Sequence, residues 1–203
     1  MRLRPGLSAA SAAALAVFAL SPSLALAHTG VGATHGFAHG FTHPVTGLDH
    51  VLAMVTVGLF AWQLGGRAMW AVPAAFVAVM AVGGGLGVLG MDVPFVELGI
   101  AFSVVALGAM VALRLKAPLA LAMGLVGFFA LFHGYAHGAE MPEDAGGIAY
   151  GLGFVAGTAL LHAAGLALGF MIGRAADAQG RDWTRAAGAA VCLVGVGLVT
   201  GVL

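Results

Sequence analysis

Eight histidines stand in a chain of 203 residues of which only 8% are charged, and their spacing is suited to chemistry. His35, His39 and His43 recur every four residues, and His50 follows seven later, beside Asp49. On one helix each four-residue step turns about 40° and rises about 6 Å, stacking the imidazoles along one side. A strict helix would hold His43 and His50 roughly 10 Å apart, too far to share one ion at ligand distances of about 2 Å. Two arrangements stay open: successive stations on a path, or a chain break near Pro44 and Gly47 that folds His43 back toward Asp49 and His50. Proline followed by glycine is the punctuation such a break needs.

A second constellation is FHGYAHGAE, where His133 and His137 are one turn apart and Glu140 follows three residues later. Two imidazoles at i,i+4 can hold one ion from one face of a helix, as in HExxH metalloproteases, but the catalytic Glu of that motif is missing. His162 falls inside the apolar stretch TALLHAAG. Neutral imidazole suits nickel, copper and zinc alike, whereas the carboxylates tilt away from Cu(I). Cys192 is the only cysteine, which excludes an intrachain disulfide and any Cys-rich metal site. Simpler readings stand beside these. His28, His35 and His39 form a metal-gathering mouth, although the His35–His39 stretch also reads as a flexible scavenging tail or an accident of composition, and signal cleavage alone would explain His28. His162 is either a path residue or an interhelical hydrogen-bonder. Glu97 complements a helix dipole or lines the path.

The elements that must position these side chains are membrane helices. Hydrophobic residues make up 61% of the chain and mean hydropathy is +1.04, so the solvent is lipid. Apolar runs long enough to cross about 30 Å of hydrocarbon predict helices over 44–64, 70–90, 95–114, 117–137, 147–173 and 185–203. The fold class is all-α: six transmembrane helices in one bundle, spanning residues 28–203. Residues 1–27 have the form of a cleavable signal peptide, with Arg2 and Arg4, an apolar stretch from Leu7 to Leu20, and Ala25-Leu26-Ala27 before the cut. An uncleaved first helix is the alternative. Glycines at 153, 157, 165, 169 and 173 are spaced for close helix packing. Those at 83, 84, 85 and 87 could pack or permit a break.

Arg67, Arg114, Lys116, Arg174, Arg181 and Arg185 all fall in loops on one side of this arrangement. The other side carries Asp92, Glu140, Glu143 and Asp144. The basic side is expected to be cytoplasmic, leaving an acidic, His-rich outer face that gathers cations. Zero formal net charge gives no footprint for nucleic acid, and the Gly-rich runs lack the Lys of a nucleotide-binding loop. Two other classes have some claim on the histidines: a membrane haem protein with axial His ligands and an intramembrane zinc hydrolase.

HPVTGLDHVLAM, from His43 to Met54, resembles the HPxxGxDH signature of the HupE/UreJ family of nickel and cobalt permeases. VELGIAFSVVALG (Glu97 to Gly108 in its core), FHGYAHGAE and TALLHAAG resemble that family's third-, fourth- and fifth-helix segments, so the likeness covers essentially the whole mature chain. The resemblance implies a non-enzymatic permease that imports Ni²⁺ or Co²⁺ by secondary transport, often for hydrogenase or urease, and the signal peptide with the charge bias is expected to set it in a bacterial inner membrane with its mature N-terminus periplasmic. It implies metal-path roles for His43, Asp49 and His50, and also for His133, His137, Glu140 and Glu97. The ion is then cargo, with no cofactor permanently bound, and the family alone does not fix which metal is carried.

Overall fold

The computed structural model describes residues 36–141, 146–175 and 178–203. The predicted signal peptide, His28, His35, Glu143 and Asp144 lie outside them. Among the described residues every regular element is helical: α1 Gly36–Thr42, a 3-10 turn His43–Val45, α2 Leu48–Leu64, α3 Ala68–Val88, α4 Val96–Ala112, α5 Leu119–Ala139, α6 Gly147–Ala175 and α7 Ala178–Val199. The runs predicted over 70–90, 95–114, 117–137 and 147–173 match α3 to α6 within two residues at each end. α7 begins seven residues earlier than its apolar run, because its first turns include Gln179, Gly180 and Asp182, which a count of apolar residues cannot see.

The first predicted helix is broken. α1 with its 3-10 turn meets α2 at 80°. The His43 carbonyl is taken by the Thr46 backbone N–H at 3.1 Å and by the Thr46 hydroxyl at 2.7 Å, so it is not free for a regular helical bond. Pro44 has no N–H to continue the ladder, and Gly47 is extended before α2 starts. α3, α5, α6 and the Asp182–Val199 part of α7 are long and apolar enough to cross a membrane, and the bent pair taken as one broken span makes a fifth. α4 is apolar, but its 17 residues reach about 25 Å.

Burial departs from that of a water-soluble protein, because large apolar side chains also cover the surface and the apolar core holds several polar ones. Val82, Phe102, Leu121, Phe128, Leu160 and Leu193 are exposed, while Ser103, His133, His137, Thr158 and His162 are buried. This is the pattern of a helical protein in lipid, where polar side chains are costly unless they face the bundle interior. α2 lies at the centre, packed on α6, α4 and α3, and its residues from Thr56 to Ala61 are all buried.

Glycine seams bring the helices to backbone contact. α3 and α5 share the most extensive interface: a Cβ on Gly83 would overlap the Leu131 carbonyl, and one on Gly134 the Met80 carbonyl. The glycines of α3 therefore pack, and the helix runs through them unbroken. On α6, Gly153 and Gly157 face Phe37 and Phe41 of α1, Gly165 faces Val55 of α2, and Gly169 and Gly173 face the Trp62 ring. That row forms the groove in which α1 and α2 lie.

Candidate metal path

The break before α2 lets residues close in sequence turn inward at different levels. Asp49 Oδ1 accepts from the His50 backbone N–H at 2.8 Å and lies 2.9 Å from His50 Nδ1. The carboxylate thus holds the ring with Nδ1 protonated and leaves the lone pair on Nε2, as outer carboxylates do for metal-binding histidines. Gly47 makes room for this pair. A Cβ there would stand 2.8 Å from Asp49 Oδ1 and 3.1 Å from His50 Nδ1.

On α5, Gly134 and Gly138 occupy the face toward α3, so His133 and His137, each one residue earlier, turn about 100° away from that seam. They meet α2 and the 3-10 turn. The His137 ring centroid lies 4.3 Å from that of His50 and 4.6 Å from that of His43, both edge-on. His50 is in turn 4.7 Å from His133. Both arrangements read from the sequence are therefore combined: the chain breaks, and His43 and His50 are joined through His137 of another helix. Outward, His39 is 5.6 Å from His43, and Glu140 Oε2 is 3.8 Å from His43 Nε2. Inward, Phe76 stands between His133 and His162, at 5.7 and 5.1 Å.

The result is a row of imidazoles running from His39 through His43, His137 and His50 to His133, with His162 beyond Phe76. The outer members are partly exposed, whereas His133 is 0% and His162 2% exposed. Buried polar atoms are normally paired. Here His39 Nδ1, His50 Nε2, His133 Nδ1 and both nitrogens of His137 and of His162 have no hydrogen-bond partner among the described residues. A neutral ring carries its proton on one nitrogen, so His50 Nε2, His133 Nδ1 and one nitrogen each of His137 and His162 offer a lone pair set aside from the protein's own bonding. No three His, Cys, Asp or Glu side chains among the described residues are grouped to hold one ion together. The row offers ligands in succession and not as a closed cage.

Several residues beside the row were not singled out from the sequence. Ser103 of α4, fully buried, donates its hydroxyl to the Ile100 carbonyl at 2.6 Å and lies 2.9 Å from His133 Nε2. Since its one proton is committed to the carbonyl, it accepts from His133 Nε2–H. Tyr150 lies 5.7 Å from His39 and 6.0 Å from His43, and Phe154 packs 4.1 Å from His137. A lone hydroxyl in the apolar run of α4 was the available hint of Ser103. Glu97 is not brought to the row. It is exposed in the first turn of α4 and makes no hydrogen bond or ion pair with the histidines among the described residues.

An apolar exterior, membrane-length helices and a buried imidazole row define a multi-pass membrane protein with a histidine-lined interior. The family model described as HupE / UreJ protein matches residues 15–198, and the chain belongs to the HupE/UreJ family, which is associated with nickel and cobalt uptake for hydrogenase and urease. It is 47% identical over 188 residues to Protein HupE of Rhizobium leguminosarum bv. viciae, covering 92% of this chain and 95% of that protein. No solved structure matches it.

Proposed function

We propose that this protein imports a divalent transition metal ion, Ni²⁺ or Co²⁺, across the inner membrane by secondary transport, handing it along the imidazole row. The observation that carries the reading is the run of His43, His137, His50 and His133, whose ring centroids are 4.3–4.7 Å apart, together with the unpartnered nitrogens on three of them. An ion gathered at His39, His43 and Glu140 loses water to imidazole, then exchanges one nitrogen for the next. Successive two-ligand sites suit transit, because an ion held by few ligands leaves easily. Asp49 orients His50, and Ser103 orients His133. His162 would receive the ion beyond Phe76. His28 and His35 belong to the gathering mouth in this reading, and Glu97 adds negative charge at the outer ends of the helices.

In the bilayer the protein has six spans, with the α1–α2 pair as a broken one and α4 as the short one. The histidine end faces the periplasm after removal of the signal peptide, and the basic end faces the cytoplasm. Rings in edge contact leave no room for a macrocycle between them, which favours an ion path over a haem site. The test is initial-rate uptake of radiolabelled nickel and cobalt at limiting concentration, in cells with the protein, without it, and with His137→Ala. Uptake that depends on the protein and is lost in the variant is expected. Equal uptake with and without the protein would overturn the reading.

A further inference from the structure

The end of the bundle remote from the histidines holds a cleft of about 700 Å³ between the α2–α3 and α4–α5 connections. Gln63, Arg67, Arg114 and Lys116 line it. The three cations are exposed, and none makes a side-chain hydrogen bond or ion pair among the described residues. Arg185 behaves differently: its Nε donates to the Ala112 carbonyl at 3.3 Å, which ties the start of α7 to this same end.

Positive charge at one end orients a membrane protein, and on its own it would need no ligand. The Gln63 amide does not fit that account. Its Nε2 and Oε1 are both buried, and neither has a partner among the described residues. A buried amide with no partner is costly, and because Gln63 lines the cleft, a turn of its side chain toward the opening would give its donor a ligand oxygen. Arg114 holds a left-handed backbone, φ 52, which non-glycine residues adopt at a cost. It is one of the cleft-lining cations.

The depth of the cleft points to the ligand. Trp62 and Trp70 flank the α2–α3 connection, and Trp183 sits at the start of α7, so all three tryptophans of the chain are at this end. Trp70 and Trp183 are exposed. Tryptophans collect at the level of lipid headgroups, and basic residues there attract anionic ones. We infer that the cleft lined by Gln63, Arg67, Arg114 and Lys116 is a binding site for a phosphate-bearing anion at headgroup depth. Arginine and lysine supply charge and N–H donors to phosphate oxygens, and the Gln63 amide adds a neutral donor. The site does not depend on the transport reading, since it shares no residue with the imidazole row.

The full chain purified in a mild detergent is titrated with phosphatidylglycerol, phosphatidylcholine and inorganic phosphate. Bound lipid is counted by native mass spectrometry, and phosphate binding is read by competition against the lipid. Phosphatidylglycerol is expected to bind in preference to phosphatidylcholine. Arg114→Gln should weaken it about fivefold, the factor for one basic residue near an anionic surface. Gln63→Leu should weaken it without any change of charge, and Arg174→Gln, at the same end but outside the cleft lining, should weaken it clearly less than Arg114→Gln. Competition by inorganic phosphate assigns recognition to the phosphate alone, and lipid binding without competition assigns it to the lipid headgroup in place; either supports the site. If Gln63→Leu fails to fold, the contrast between Arg114→Gln and Arg174→Gln decides. No preference for phosphatidylglycerol, or equal weakening by those two arginine variants, overturns the inference.

Discussion

Ser103 Oγ lies 2.9 Å from His133 Nε2, and because its proton goes to the Ile100 carbonyl it can only accept from that ring. The hydrogen bond sets the tautomer of His133 and leaves Nδ1, buried and unpartnered, as the nitrogen with a lone pair. Ser103→Ala should therefore weaken transport by about 10–100-fold in the metal concentration needed, the usual effect of removing an outer partner of a metal-binding histidine. Ser103→Thr keeps the hydroxyl and should recover most of that loss. Concentration dependence of uptake in cells with matched protein levels checks both; an alanine variant with unchanged affinity would show that the tautomer does not matter.

Asp49 plays the corresponding part for His50. Asp49→Asn keeps the shape but loses the charge, and its amide can turn a donor toward Nδ1. Uptake should fall to that of cells lacking the protein, and so should uptake by His50→Ala, while both proteins still insert, since neither change alters an apolar span. Normal uptake by a well-inserted Asp49→Asn protein would remove Asp49 from the path.

Packing makes a separate prediction on α5. Gly134 and Gly124 are ten residues apart on one helix, but a Cβ on Gly134 would overlap the Met80 carbonyl, whereas one on Gly124 would meet nothing within 4 Å. Gly134→Ala should cost about 1–3 kcal/mol through overpacking. Gly124→Ala should gain up to about 1 kcal/mol, the helix preference of alanine over glycine. Thermal unfolding in detergent measures the sign of each. Equal effects would mean that the α3–α5 seam is looser than its backbone contacts indicate.

What could be read from the sequence follows from what lipid demands. A span needs about 20 apolar residues, so the helices of 70–173 were legible almost to the residue, and the Gly153–Gly173 row announced its packing role by spacing alone. Pro44 and Gly47 marked a break. That the break and the succession of stations would be combined was not legible, because His137, some 90 positions away in the chain, is what joins His43 to His50. Ser103, Phe76 and Tyr150 were hidden for the same reason: each acts through a neighbour on another helix, and no local pattern records a contact 30 or more residues distant. Glu97 illustrates the converse. Its motif context suggested a path residue and its helix start a dipole complement, and its exposed position in the first turn of α4 fits the second reading.

The row also separates capture from conduction. His39 lies beside His43 and Tyr150 at the outer end, where side chains are partly exposed, whereas His133 is buried and in ring contact with His50. Replacing His28, His35 and His39 together with alanine should raise the metal concentration for half-maximal uptake while sparing the maximal rate, because these residues raise local ion supply without forming the narrow part of the path. His133→Ala should instead lower the maximal rate, since it removes a station that every ion must use. The ring contact with His43 makes His39 the member of the triple most closely coupled to the path, so a double change of His28 and His35 is the informative comparison. If the double change spares the maximal rate and the triple change collapses it, His39 is the first conducting station. If His133→Ala changes only the concentration dependence, the ion does not pass through the deep end of the row.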